Sequence, residues 1–119
     1  MKKIILLMAL LSTTILADWN DQNDILENRI ENTLNYKFRV LNSGNKTLRV
    51  NEYDVDVFDN YVNVKAEVSY NPNNFDFVRA FAPIKKEISK NLGNNPQINV
   101  VVEYDKVIGE DEIIFNGDI

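Results

Sequence analysis

The chain has 119 residues, with 13 Lys or Arg against 18 Asp or Glu, a formal net charge of −5, no Cys and no His. That length makes one domain able to bury a modest core. Without Cys or His there is no disulfide partner, thiolate nucleophile, zinc finger, haem ligation by those residues or Ser-His-Asp triad, so most small-enzyme chemistry is excluded.

Lys2 and Lys3 precede an apolar run from Ile4 to Leu11, which Ile15 and Leu16 continue after Ser12, Thr13 and Thr14; Ala17 and then the polar Asp18 follow. A positive start, a short apolar stretch and a small residue are the marks of a secretory signal peptide cut after Ala17. From Ile4 to Leu16 the stretch is shorter than the roughly 20 residues of a spanning helix. The Lys-Lys start is bacterial in style, and no Cys follows to carry a lipid. The expected product is residues 18–119, one small periplasmic or secreted domain. Losing Lys2 and Lys3 takes its net charge from −5 to −7.

In chain order, Leu26, Ile30 and Leu34 stand four apart, which predicts an amphipathic helix over Asp24–Tyr36 with Asp24 as its N-cap. Tyr36, Phe38 and Val40 alternate with Lys37 and Arg39 and read as a short strand ending in the turn cluster Asn42-Ser43-Gly44-Asn45.

Next, Tyr53, Val55 and Val57 alternate with Asp54 and Asp56, and beyond Asp59-Asn60 a second alternating run links Val62, Val64, Ala66 and Val68. A two-residue hairpin loop at Asp59-Asn60 sets the pairing. Val57 then faces Val62, Val55 faces Val64, Tyr53 faces Ala66, and Asp54 meets Lys65 on the other face. Leu48 and Val50 are out of phase with Val55, which predicts a bulge near Asn51 or Glu52.

Pro72-Asn73-Asn74 is expected to open a second helix carrying Phe77, Phe81, Ile84, Ile88 and Leu92, stopped by Gly93. Pro83 lies inside this run, which predicts a kink with the proline facing outward. Ile98, Val100, Val102 and Tyr104 alternate in a further strand, and Ile113-Ile114-Phe115 reads as a short edge strand. The fold class is α+β: a two-layer sandwich in which a mostly antiparallel sheet of three to five strands carries two helices on one face, in the order α-β-β-β-α-β. This layout is similar in general outline to small envelope domains such as the BON type, a likeness of topology that transfers no residues.

The chemical candidates are few. Asp18 to Asp24 carries closely spaced oxygen ligands, but neither counting from Asp18 nor from Asp21 puts Gly and Glu where a calcium loop needs them, so the run reads as the acidic start of a helix. Glu52, Asp54, Asp56 and Glu67 share the polar face of the hairpin, where acid-base work would require a cleft that a flat face does not supply. Glu110-Asp111-Glu112 reads as a solvated turn. Lys85, Lys86 and Lys90 sit on the outer side of the second helix, and the net negative charge argues against nucleic acid and anionic membrane surfaces as partners. Phe58 and Tyr61 flank Asp59-Asn60 on the polar face with no core to enter, so Phe58, Tyr61 and Asp59 are the candidate partner-binding residues.

The expectation is therefore a non-catalytic exported interaction or accessory domain, with no cofactor and no bound metal, whose partner is another envelope protein. An acidic secreted inhibitor of a basic hydrolase, such as a lysozyme or a protease, is the alternative.

Overall fold

The computed structural model describes the backbone of residues 11–119 and the side chains from Asn23 onward. It is an α+β fold of two helices, α1 (Leu11–Lys37) and α2 (Phe77–Leu92), and five strands: β1 (Val40–Ser43), β2 (Lys46–Val57), β3 (Tyr61–Val68), β4 (Gln97–Tyr104) and β5 (Glu112–Asp118). The strands form one sheet in the order β1-β2-β3-β4-β5. Three of the pairings are antiparallel; β3 and β4, joined through α2, run parallel. The expected leader lies largely outside the described residues, and no described helix is long and apolar enough to cross a membrane.

The β2–β3 hairpin has the register that its alternation dictates: Val57 opposite Val62, Val55 opposite Val64, Tyr53 opposite Ala66, Asp54 opposite Lys65 and Glu52 opposite Glu67. The ladder shifts between Val50 and Glu52, so Val50 faces Val68. The extra residue returns Leu48 and Val50 to the buried side, where both are almost wholly enclosed. Ile98, Val100 and Val102 of β4 bury in the same core, together with Ile30 and Leu34 of α1 and Ala80, Phe81, Ile84 and Ile88 of α2.

Three local expectations are corrected. The first helix extends well beyond Asp24 in the N-terminal direction, leaving that residue inside it, and it runs on through Tyr36 to Lys37; β1 therefore starts only at Val40 and turns at Gly44-Asn45. The helix wins over the alternating Tyr36-Phe38-Val40 pattern because Leu34 is fully buried on its last turn and the Phe38 N–H still donates to the Leu34 carbonyl. The second helix opens at Phe77 and is capped by Asp76, whose carboxylate accepts the Arg79 N–H at 3.1 Å. Pro72 to Asn74 precede it in a turn with Asn74 at φ 52°. Thirdly, the C-terminal strand is seven residues long, where three were expected. The stop at Gly93 holds: its φ of 74° suits a residue without Cβ, and its N–H returns to the Ser89 carbonyl. Pro83 lies inside an unbroken α2 and is exposed, so its missing donor is on the wet side of the helix.

One arrangement was not expected. β1 pairs only with the first third of β2, leaving Tyr53, Val55 and Val57 with main-chain groups turned away from β3 and no strand to receive them. Helix α1 lies there instead. Asn35 Oδ1 accepts the Tyr53 N–H at 3.0 Å, Glu31 Oε2 the Val55 N–H at 3.0 Å and Glu27 Oε2 the Val57 N–H at 2.8 Å. Four helical residues rise about 6 Å, close to the span of about 6.6 Å for two strand residues, so acceptors four apart match donors two apart. The bulge is held from the same side, because the Arg39 guanidinium donates to the carbonyls of both Asn35 and Asn51.

Candidate functional site

The tip of the β2–β3 hairpin carries the aromatic pair. The Phe58 N–H donates to the Tyr61 carbonyl at 2.8 Å, closing the turn, and the two rings lie 5.8 Å apart in a tilted contact. Phe58 remains 54% exposed, and Asp59 and Asn60 are exposed between the two aromatics. The C-terminal segment Ile113–Phe115 does not cover them: it pairs beside Val102 and Glu103, whereas Tyr61 is level with Gln97 at the other end of β4.

From this tip the strand registers lay out one continuous sheet face. Asp56, Asn63, Asn99 and Asp118 form one row across β2, β3, β4 and β5; Asp54, Lys65, Val101 and Asn116 form the next; Glu52, Glu67 and Glu103 form the third. None of these side chains is buried. Side-chain amides tie part of the surface together: Gln97 donates to Asp118, and Asn99 to both Asn116 and Asp118.

At the third row the carboxylates crowd. Lys65 Nζ stands 3.1 Å from Glu103 and 3.8 Å from Glu67, and this pairing holds its ammonium more firmly protonated than usual, first through the bond to Glu103. Beyond the row, the carboxylate oxygens of Glu103, Asp105 and Asp111 come within 4.8 Å of one another. Glu67 is pushed up to about 7, first by lost hydration, then by sharing a hydrogen bond with the Asp105 carboxyl and by that group's charge; Glu52 adds to the rise and Lys65 opposes it. Near neutral pH this corner therefore takes up or gives off a proton. Offering one oxygen each, Glu103, Asp105 and Asp111 would supply three of the roughly six to eight that a calcium ion takes, an incomplete cage.

Of the carboxylates singled out in the sequence, the structure brings Glu52 and Glu67 into this corner, while Asp54 faces Lys65 and Asp56 lies beside Asn63. Glu103 and Asp105 escaped the sequence reading, which took Asp111 as part of a solvated turn. A hint was present in Glu103, which continues the outward positions of β4, but nothing local says that β4 lies beside β3. Asp24 is exposed within α1, and Lys85, Lys86 and Lys90 are exposed on α2. No family model matches the chain, and neither a curated protein nor a solved structure does.

Proposed function

We propose that the protein is a small exported, non-catalytic interaction domain of the bacterial envelope that takes a cationic partner protein on the polar face of its sheet. The observation that carries the reading is the composition of that face: its three rows hold Glu52, Asp54, Asp56, Glu67, Glu103 and Asp118 against the single cation Lys65, with Phe58 and Tyr61 at one end. Carboxylates crowded where lost hydration already makes charge costly enough to lift Glu67 to about 7 gain by meeting an opposite charge. Rigid aromatics beside them supply contact area at small entropic cost, so Phe58, Tyr61 and Asp59 lead the contact. An acidic inhibitor of a basic hydrolase is a narrower form of the same reading, favoured by the exposed Phe58 at the hairpin tip.

The test is capture from an envelope extract on the immobilised protein at low and high salt. Basic proteins should be retained at low salt and released at high salt, and the Glu52→Gln, Glu67→Gln, Glu103→Gln triple variant should retain less. Acidic partners, or retention indifferent to salt and to the variant, would refute it. Assays against a panel of cationic hydrolases distinguish the inhibitor: a captured enzyme that keeps full activity removes that form.

A further inference from the structure

The two sides of the sheet treat their unpaired main-chain groups differently. On the β2 side, the free donors of Tyr53, Val55 and Val57 are taken up by Asn35, Glu31 and Glu27 of α1. On the other side β5 is the last strand, and among the described residues nothing pairs beyond it. The register says which of its groups are free. The Ile119 N–H donates to the Ile98 carbonyl at 3.0 Å, and Gly117 and Phe115 face Val100 and Val102 in the same phase. Antiparallel hydrogen bonding alternates, so the N–H and C=O of Asn116 and Asp118 turn outward, away from β4.

An open edge is a template for another strand, and edges that avoid this carry Lys or Pro. β5, with the sequence Glu-Ile-Ile-Phe-Asn-Gly-Asp, has neither, and its bulge between Ile113 and Phe115 leaves Phe115 to Asp118 a regular edge. It is acidic at both ends, and Glu110 and Asp111 precede it. Its two faces differ as well. Asn116 and Asp118 stand on the polar face, whereas Phe115 lies on the core side, stacked on Phe77 at 5.1 Å.

We infer that the outer edge of β5 is a strand-addition site for an extended segment of the cationic partner, with Lys or Arg alternating with apolar residues. Main-chain bonds to Asn116 and Asp118 supply the attachment, and the alternation supplies the choice: cations beside Asp118 on the polar face, apolar residues beside Phe115 on the core side, with Glu112 already paired to Lys106 at 3.2 Å. This inference rests on the cationic-partner reading and adds the place and form of attachment. The acidic ends also disfavour a second copy of β5, because two strands that carry Glu112 and Asp118 and no cation meet with like charge.

The probes are short synthetic peptides alternating Lys with Val, Glu with Val, and a Lys–Val peptide interrupted by proline, with amide hydrogen exchange of the intact protein as the readout. The Lys–Val peptide should slow exchange at Asn116 and Asp118 about tenfold when present at about ten times its Kd. The Glu–Val and proline peptides should not. Asn116→Pro removes an outward donor without touching the β4 ladder and should abolish the protection with the melting curve retained; should it fail to fold, Asp118→Lys provides the second check by weakening Lys–Val binding and strengthening Glu–Val binding. Lys–Val binding seen only around Glu52, Glu67 and Glu103 overturns the edge and leaves the cationic-partner reading standing. Absence of Lys–Val binding alongside salt-sensitive capture of basic proteins does the same, and absence of both overturns both. Equal protection by the Glu–Val peptide overturns the charge selection. Protection that rises with protein concentration alone assigns the edge to a second copy and overturns the inference.

Discussion

Glu31 on the first helix accepts the main-chain N–H of Val55 at 3.0 Å, so a helical side chain stands where a neighbouring strand's carbonyl would otherwise be. The bond is partly buried, and losing the acceptor leaves the Val55 donor without a partner. Glu31→Ala should cost about 1 to 3 kcal/mol in urea unfolding, while Glu31→Gln, which keeps an oxygen in place, should cost clearly less. Equal losses in the two variants would mean that the helix merely packs against this edge.

Phe81 lies wholly inside the core on the buried stripe of α2. Phe81→Ala should destabilise the protein by about 3 to 5 kcal/mol, enough to unfold much of the population of a domain of ordinary stability. Thermal unfolding followed by circular dichroism measures it, and an unchanged midpoint would contradict the burial of that stripe.

Glu67 gives the fold a pH dependence whose sign follows from its environment. Its carboxyl is raised from 4.5 to about 7, so the folded state binds this proton more tightly than the unfolded chain. Stability from this source is fully present below about 4.5 and is lost as the pH rises through about 7. Over that window the melting temperature of Glu67→Gln should change less than that of the wild type, and above it the variant should be the more stable. Parallel curves would show that Glu67 titrates normally.

The hairpin tip separates binding from stability. The double change Phe58→Ala, Tyr61→Ala should lower capture of a cationic partner while costing only about 0.5 to 1.5 kcal/mol, the scale of one exposed aromatic pair. Capture at the wild-type level, or a loss that tracks unfolding, would leave the tip with a structural role alone.

Export has its own measurement. Mass spectrometry of protein recovered outside the cytoplasm should find a chain beginning at Asp18, and retention of Lys2 and Lys3 would argue against cleavage.

Much of the sheet was legible before any tertiary structure. The β2–β3 register, the bulge between Val50 and Glu52 and the pairing of Glu52 with Glu67 all follow from period-two alternation across a two-residue loop, since a slip of one residue would turn every valine outward. The stripe of α2 and its Gly93 stop are local for the same reason: spacing and backbone conformation are set within a few residues. The start of β1 was missed because Tyr36-Lys37-Phe38 alternates like a strand, and only the burial of Leu34 carries the helix past it.

What the amino-acid order determines by itself is the local pattern of this protein: which residues alternate, which recur every turn, and which side of each element avoids water. The tertiary structure alone decides the meetings between distant segments. Glu27, Glu31 and Asn35 read as the wet side of a helix, and only docking of α1 against β2 turns their spacing into a row of acceptors. Likewise Glu67 and Asp105 come together because β4 lies parallel to β3, an adjacency set by closing the chain through α2 over a common core. Local periodicity carries no information about such closures, because their energy lies in contacts between residues far apart along the chain.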